Sequence, residues 1–293
     1  MEIPSNDENE CLAGTFLEQG YAILRSEFRD ADIELLLRAF REWQCQSSEH
    51  TSDFGDAPQQ KRRFVLGATH DRSAPCLRRV NNPCDISTLY FEFVLTSQLL
   101  KLAQRFLGSV VRFHHCKINC KSGPEDGSID LHQDFGFDPH TNGSLITLVV
   151  PFVKLTPENG CLEIVPGSHL TQVSHFIGTR FTGAIPGGWD RYESKLTKLD
   201  LKVGDCLLMD GSLIHGSRPN RTRIPRPVLF AEFSAADALP LAPYHVPSQH
   251  SGRLFPPTEN YFPIRLETRI LEVPLQYTES SIFELQQVER TPQ

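Results

Sequence analysis

Short apolar segments separated by turn residues dominate the chain from Val110 onward, and they predict a series of β-strands. The period of two is clearest near the end of the series, where Leu229, Ala231 and Phe233 alternate with residues of the opposite face. Such alternation sends successive side chains to opposite sides of a sheet. The segments predicted as strands are 110–119, 131–135, 144–153, 162–165, 199–201, 206–209, 213–215 and 227–234.

Apolar residues spaced three and four positions apart predict helices in the first third of the chain. Asp30 is the expected cap of one helix, because its side chain can accept from the first backbone N–H groups. The apolar stripe of that helix comprises Ile33, Leu36, Leu37 and Phe40. The other predicted helices are 7–19, 87–107 and 280–288, and a short strand is predicted at 21–24.

Many short strands with turns between them are typical of two sheets packed as a jelly roll. The sequence therefore predicts a mainly β fold with flanking helices, of the double-stranded β-helix, cupin-like barrel type. We expect one domain over residues 1–293, with a helical N-terminal support (1–108), a jelly-roll core (109–236) and a C-terminal extension (237–293). Between residues 167 and 195 no periodicity is clear, and a long excursion of this kind is often a lid or specificity loop.

Charge and composition narrow the function classes. With 29 basic and 36 acidic residues the net charge is −7, which argues against a nonspecific nucleic-acid partner. No apolar run approaches the ~20 residues of a membrane span. The acidic start of the chain lacks the basic and apolar regions of a signal peptide. The eight cysteines show no paired metal-binding spacing, so we expect free thiols and a cytoplasmic location.

Two short basic runs, Lys61-Arg62-Arg63 and Arg78-Arg79, are expected to be solvated. The alternative is that they line the mouth of a pocket, where they would meet an acidic substrate. Four histidines outside the motifs described next are expected to be structural or exposed: His114, His115, His140 and His169.

Two imidazoles and one carboxylate form the most informative pattern in the chain. His132 and Asp134 are two positions apart in a predicted strand, so both should project to the same side. His215, in an apolar stretch after the Gly204-Asp205 turn, is positioned to come from an adjacent strand. Two histidines and a carboxylate can occupy one face of iron(II) and leave the other face open. Either motif alone is weak, and the combination carries the prediction.

Arg226, at the start of the predicted strand 227–234, is the second chemical signal. A guanidinium entering an apolar strand is costly to bury, and a bidentate salt bridge to a carboxylate would remove that cost. The alternative is a surface arginine at a strand end. For Arg218, Arg221 and Arg223, in the preceding loop, the surface position is expected.

Together these residues resemble the phytanoyl-CoA dioxygenase family over roughly Arg112 to Ala236. Members of this family are non-haem iron(II), 2-oxoglutarate-dependent oxygenases. The motifs that carry the resemblance are His132-Gln133-Asp134, Pro157-Glu158-Asn159-Gly160-Cys161-Leu162, Pro166-Gly167-Ser168-His169, Val203-Gly204-Asp205 and Ile214-His215-Gly216-Ser217, with Asn220 and Arg226.

The resemblance implies roles for individual residues. His132, Asp134 and His215 look like the iron ligands. Arg226 is similar to the arginine that binds the distal carboxylate of 2-oxoglutarate, and Ser217 to a hydroxyl that assists it. Lys121 resembles a lysine that contacts the co-substrate in some members, and Lys117 is the alternative.

The function implied by this resemblance is an oxidoreductase that uses iron(II), 2-oxoglutarate and O₂. It would oxidise, most simply hydroxylate, an unactivated C–H bond of a small molecule, with succinate and CO₂ as co-products. A natural product or amino-acid-like metabolite is favoured over an acyl-CoA, because no nucleotide-phosphate cluster appears in the sequence. The alternatives are a metal-dependent hydrolase or isomerase on a cupin-like barrel, and a catalytically silent binding protein. The sequence predicts no particular oligomeric state.

Overall fold

This computed structural model describes residues 6–257, 264–267, 271–274 and 286. The helices are α1 Asn6–Gln19, α2 Asp30–Gln46, α3 Thr88–Leu95, α4 Gln98–Leu107 and α5 Gly188–Tyr192. The strands are β1 Tyr21–Leu24, β2 Phe54–Asp56, β3 Arg62–Leu66, β4 Leu77–Asn81, β5 Val111–Lys121, β6 Ile129–His132, β7 Leu145–Pro151, β8 Leu162–Ile164, β9 Phe176–Ile177, β10 Arg180–Phe181, β11 Thr197–Lys198, β12 Cys206–Asp210, β13 His215–Ser217, β14 Arg226–Ala235 and β15 Leu254–Phe255.

Two antiparallel sheets organise the chain. The larger sheet has nine strands in the order β1-β12-β7-β14-β5-β4-β3-β2, with β15 also paired to β5. The smaller sheet has the order β11-β8-β13-β6, and β9 with β10 forms a separate hairpin. The fold is therefore mainly β with few helices, as the apolar pattern predicts.

The two faces of the larger sheet pack against different partners. One face meets the helices, where Leu148 of β7 and Leu229 of β14 belong to the same apolar cluster as Leu36 of α2. The other face contributes Val149 and Val228 to a second cluster, which includes residues of β8 in the smaller sheet. The alternation predicted for residues 227–234 is thus confirmed.

The first 108 residues supply four strands of the larger sheet as well as helices. Strand β1 pairs with β12, while β2, β3 and β4 extend the sheet beyond β5. The sequence predicted only β1 among these. Strands β3 and β4 contain arginines and do not alternate between apolar and polar residues. The sequence therefore does not show the period of two that predicts a strand.

The expectation that both basic runs are solvated is wrong for three arginines. Arg63 is 5% exposed and its Nη1 lies 2.9 Å from Asp85 Oδ2. Arg78 is 7% exposed and donates to the Asp126 carbonyl at 2.8 Å. Arg79, which pairs with Asn119 of β5 in the strand register, is fully buried in the lining of an internal cavity.

The long helix predicted at 87–107 is two helices, α3 and α4, separated by Thr96 and Ser97. Thr96 Oγ1 donates to the Glu92 carbonyl and Ser97 Oγ to the Phe93 carbonyl, at 3.0 and 2.8 Å. These side chains satisfy carbonyls at the end of α3, and Ser97 leaves the helical region with φ −118° and ψ −142°.

Helix α2 begins at Asp30 itself, so the prediction that this residue is the cap is wrong. Arg29 holds the capping position without a side-chain hydrogen bond. Asp30 instead places its charge in the first turn, where it complements the helix dipole. The helix predicted at 280–288 lies outside the described residues, apart from Gln286.

Segment 167–195 contains β9, β10 and α5 rather than an irregular loop. Its residues Ile185 and Tyr192 pack with Leu131 and Ile214, next to the smaller sheet. Among the described residues, no helix is both long and apolar enough to cross a membrane. The eight cysteines are free.

Leu148 tests the packing between the larger sheet and the helices. It is fully buried and lies between Leu208 of β12 and Ala231 of β14. Leu148→Ala should lower the free energy of unfolding by about 2–5 kcal/mol, because it removes buried methyl groups and leaves a cavity. Denaturant unfolding measures this change. Leu35→Ala, at a site 45% exposed on α2, is the control and should change stability much less.

Candidate metal centre

His132 and His215 are brought together by the pairing of β6 with β13. The register of this pair places His215 directly opposite His132, and their ring centroids are 4.2 Å apart. Both side chains are buried, at 5% exposure each. The prediction that the two imidazoles come from adjacent strands is confirmed by this register.

Asp134 joins them by a local geometry that differs from the predicted one. Strand β6 ends at His132, and Asp134 starts a 3₁₀ turn over Asp134–Gly136. The turn forms because Phe137 N–H donates to the Asp134 carbonyl and Phe135 N–H to the Gly211 carbonyl, at 2.9 and 2.7 Å. The carboxylate therefore reaches the histidines through a turn rather than through strand alternation.

The side-chain atoms of His132, Asp134 and His215 that remain available as ligands point at one another. His132 Nδ1 and His215 Nδ1 donate to the Asp130 and Leu213 carbonyls, at 2.8 and 3.0 Å. Each Nε2 atom lies 3.7 Å from Asp134 Oδ1. The other carboxylate oxygen, Oδ2, accepts a hydrogen bond from Thr147 Oγ1 at 2.7 Å.

This donor set fits a divalent metal ion. Potential ligand atoms of His132, Asp134 and His215 all lie within 4.8 Å of one another. Burial and the neighbouring His215 hold the pKa of His132 well below its ordinary value, which favours the neutral imidazole that binds metals. Backbone carbonyls on Nδ1 and a hydroxyl on Oδ2 are the outer partners that orient such ligands. Two imidazoles with one carboxylate suit iron(II) with open positions.

A cavity opens onto these three side chains. Its other described lining residues belong mainly to the inner face of the larger sheet and to the strands beside the histidines. They are Arg79, Lys117, Asn119, Lys121, Ile129, Phe137, Leu162, Gly216, Ser217, Arg226, Phe230 and His245.

Arg226 lies in the wall of this cavity and not on the surface. It is 3% exposed, and burial lowers its pKa to about 10, so it keeps its charge near neutral pH. Its Nε donates to the Asn159 carbonyl at 3.2 Å. Among the described residues, no carboxylate lies within ion-pair distance of Arg226. A dicarboxylate ligand would supply the missing anion.

The turn that contacts Arg226 depends on a glycine. Gly160 has a φ of +74°, and a Cβ there would lie 2.4 Å from the Arg218 carbonyl oxygen. The Asn159-Gly160 turn therefore approaches the loop after β13 more closely than any other residue would allow. This approach places the Asn159 carbonyl beside Arg226.

Ser217 and Lys121 line the same end of the cavity as Arg226. Lys121 faces Arg226 in the β5–β14 register. Its side-chain nitrogen Nζ donates to the carbonyls of Ser217 and Arg218, at 2.9 and 2.7 Å, so it anchors the end of β13. Lys117, the alternative lysine, lies four positions away along β5 and contacts Glu232 Oε1 at 3.0 Å.

The surface positions predicted for the loop arginines hold for Arg221 and Arg223, which are exposed. Arg218 is partly buried and pairs with Glu163 at 3.1 Å and Glu193 at 2.6 Å.

A second buried cluster lies next to the metal site. Ligand-type atoms of His114, His115, Asp138 and Glu232 come within 4.8 Å of one another. The Lys117 ammonium already lies 3.0 Å from Glu232 and 3.2 Å from His115 Nε2. Because that cation neutralises the cluster, we interpret it as a structural polar network. His114, His115 and His140 are buried, and the expectation that they are structural or exposed rather than metal ligands stays a prediction.

Several residues of the site have no signal in the sequence. Thr147 holds Asp134, yet it is one threonine within an apolar strand. His245 lines the cavity from a C-terminal segment without clear pattern. Arg79 is visible only as part of a basic run.

The sequence did carry a signal for Gln133. If His132 and Asp134 point to one side of a strand, the side chain between them must point to the other side. Its amide fixes segment 167–195 by donating to the Thr171 carbonyl and accepting from Val173 N–H, both at 2.9 Å.

Comparison with known proteins relates this chain to a family of dioxygenases. A family model described as phytanoyl-CoA dioxygenase (PhyH) matches residues 16–228. A probable alpha-ketoglutarate-dependent hypophosphite dioxygenase of Stutzerimonas stutzeri is 30% identical over 238 residues, 77% of this chain and 78% of the relative. Ectoine dioxygenase of Nocardia farcinica is 26% identical over 198 residues, 61% of this chain and 66% of the relative.

Among solved structures, the apoform of EctD from S. alaskensis has a similar fold. The TM-score is 0.66 at 21% sequence identity, and the match covers 94% of this chain and 91% of that one. At this identity the likeness concerns the fold alone.

Thr147 offers a test of the metal site that leaves every proposed ligand in place. Thr147→Val keeps the shape of this buried side chain but removes the hydrogen bond to Asp134 Oδ2. Iron(II) affinity, measured by competition with a chromophoric chelator, should fall by about tenfold or more.

The control for this prediction is Thr51→Val, at an exposed threonine. It should bind iron(II) as the unchanged protein does. Equal affinity in Thr147→Val would show that the carboxylate is not held for a metal.

Proposed function

Because the chain belongs to the phytanoyl-CoA dioxygenase family, whose relatives are dioxygenases that use iron(II) and 2-oxoglutarate (alpha-ketoglutarate), we propose that it hydroxylates a small molecule at the site described above. The observation that carries the proposal is the convergence of His132 Nε2, His215 Nε2 and Asp134 Oδ1 in a cavity that also contains Arg226.

The overall reaction balances with one molecule of each reactant. When bound, iron(II) lets O₂ oxidise 2-oxoglutarate and substrate together, so that one oxygen atom enters the substrate as a hydroxyl and the other enters succinate, with loss of CO₂. The residues of the chain bind and orient these reactants.

We assign the metal to His132, Asp134 and His215, which form the protein side of the catalytic centre. Their outer partners keep both Nε2 atoms and Oδ1 directed at one point. Three protein ligands would leave open positions on a bound iron(II) ion for the co-substrate and O₂.

We assign the binding of 2-oxoglutarate to Arg226 and Ser217, which line one end of the cavity. The buried guanidinium meets the distal carboxylate of 2-oxoglutarate, and the Ser217 hydroxyl assists it. Lys121 also lines this end, and its amino group holds the carbonyls of Ser217 and Arg218. Burial, together with the neighbouring Arg226, holds the pKa of Lys121 well below its ordinary value.

The two facing sheets support a double-stranded β-helix, the jelly-roll barrel expected from the sequence. We propose residues 1–293 as one oxygenase domain, with its jelly-roll core in 109–236. The first 108 residues widen the sheet and brace it with helices. The extension 237–293 contributes His245 to the cavity and β15 to the sheet.

The substrate proposed is a small polar molecule. Relatives are named for hypophosphite, ectoine and, in Streptomyces griseoviridis, L-proline. The acidic net charge supports neither nucleic acid nor anionic membrane as a partner. Eight free cysteines support a reducing, cytoplasmic location.

A hydrolase or isomerase on the same fold would need no dicarboxylate. The buried Arg226, without a described carboxylate at ion-pair distance, favours the 2-oxoglutarate-dependent reaction over both. Succinate release separates these functions, because only the oxygenase decarboxylates 2-oxoglutarate.

The proposed roles of the metal ligands and Arg226 predict different kinetic effects. With iron(II), 2-oxoglutarate and O₂, His132→Ala and Asp134→Ala should abolish succinate release. Arg226→Ala should chiefly raise the KM for 2-oxoglutarate, by about tenfold or more, because one charge-assisted pair is lost.

Arg221→Ala is the matched control for Arg226, since Arg221 is exposed in the loop that precedes β14. Its KM for 2-oxoglutarate should equal that of the unchanged protein. Full succinate release from His132→Ala and Asp134→Ala would remove the assignment of the catalytic centre.

A further inference from the structure

Gln133, the residue between the proposed ligands His132 and Asp134, is held from outside the smaller sheet. Strand β6 is the last strand of that sheet, so one of its sides has no neighbouring strand among the described residues. Just after this strand, Gln133 N–H donates to His175 Nε2 at 2.8 Å. Both residues are buried, and a buried N–H without an acceptor would be costly. His175 therefore satisfies the backbone at the point where the metal motif leaves the sheet.

The second ring nitrogen of His175 fixes which tautomer is present. His175 Nδ1 lies 2.9 Å from the Val173 carbonyl, which can only accept a hydrogen bond. Nδ1 must therefore carry the hydrogen, and Nε2 keeps the lone pair that receives Gln133 N–H. The imidazole is thus a neutral acceptor whose orientation is set by its own segment.

The hairpin segment, residues 171–182, contains His175 and strands β9 and β10. Within it only His175 and Thr182 are buried. Thr182 N–H and Oγ1 both donate to the His175 carbonyl, each at 2.9 Å, so the second buried residue supports the first. Two further hydrogen bonds join the Gln133 side chain to the backbone of this segment. Because so little of the segment is buried, its docking depends strongly on the hydrogen bonds to Gln133.

The same imidazole lies against the 3₁₀ turn that begins at Asp134. A Cβ on Gly136 would be 2.7 Å from His175 Nδ1, so glycine leaves room for the ring in this position. Phe181 of the hairpin segment packs on Phe137, which lines the cavity, with ring centroids 5.1 Å apart. Docking of the hairpin segment therefore supports both the ligand turn and the cavity wall.

We propose that His175 is a positioning residue that couples occupation of the metal centre to docking of the hairpin segment. This inference rests on the proposed function for the identity of the metal. A bound ion fixes His132 and Asp134, and with them the direction of the N–H between them, which favours the docked imidazole. The coupling is reciprocal, so the docked segment in turn raises the affinity for the metal. Metal binding thereby completes the wall of the cavity.

The iron(II) affinity of variants at residue 175 tests the coupling. His175→Leu removes the acceptor at similar volume, and the affinity should fall by about tenfold or more, as on loss of other outer partners of metal ligands. His175→Gln, whose side-chain oxygen can take the place of Nε2, should recover most of this loss. Competition with a chromophoric chelator, with O₂ excluded, measures both affinities.

His70→Leu is the matched control. His70 also accepts a backbone N–H, from Cys76 at 3.0 Å, but it lies in the connection between β3 and β4. His70→Leu removes a hydrogen bond of the same kind and should leave the iron(II) affinity unchanged. If His175 had only a structural role, His175→Leu would behave in the same way.

Amide hydrogen exchange tests the coupling in the unchanged protein. Iron(II) should slow exchange in the hairpin segment by about tenfold, the same order as the change in affinity, because both report one coupling free energy. In His175→Leu this slowing should be lost. Gly136→Ala, whose Cβ displaces the imidazole, should reduce the slowing while His175 itself is retained.

Three results would overturn the inference. They are unchanged iron(II) affinity in His175→Leu, equal loss of affinity in His175→Leu and His175→Gln, and exchange of the hairpin segment that does not respond to iron(II) in the unchanged protein. The last comparison decides the matter even if His175→Leu fails to fold. Iron(II) binding without the coupling overturns only this inference, whereas absence of succinate release with the coupling intact counts against the proposed function alone.

Discussion

The pairing of β6 with β13 is the constraint on which the site depends. Its register sets His215 opposite His132, and backbone carbonyls fix both Nδ1 atoms so that both Nε2 atoms face the same point. Backbone hydrogen bonds between strands therefore determine the geometry of two metal ligands. The third side chain, Asp134, is oriented by a 3₁₀ turn, which is also held by backbone hydrogen bonds.

The larger sheet contributes positively charged side chains to the cavity next to the β6–β13 pair. Its inner face is apolar around Val149 and Val228, where the smaller sheet packs against it, and becomes basic where the cavity opens. Arg226 and Arg79 lie on either side of β5, so each meets a different end of the cavity. A single strand thereby separates the two ends of the cavity.

Sequence patterns predicted the parts of the site that depend on local order. The alternation in residues 227–234 placed Arg226 at the start of a strand, and the family motifs supplied the three proposed ligands. Asp134 does lie beside the two histidines, but the strand geometry predicted for it was wrong. The hydrogen bond from Phe135 N–H to the distant Gly211 carbonyl ends the strand early. Thr147 was missed, since its role follows from the packing of remote segments. For Arg79 the sequence offered a position in a pocket only as the alternative to a solvated basic run, because its burial follows from the pairing of β4 with β5. The break between α3 and α4 arises from hydroxyl groups that bond to the backbone, which apolar spacing does not reveal.

The hydrogen bond from Thr147 to Asp134 joins the two sheets through the carboxylate, since Thr147 belongs to β7 and the histidines to the smaller sheet. An ion held by all three side chains would therefore act as a cross-link between the layers. Thermodynamic linkage then makes metal supply a determinant of folding stability, worth about 1.4 kcal/mol for each tenfold excess of free metal over its Kd. Iron limitation would in this way lower the stability of the fold as well as abolish the activity.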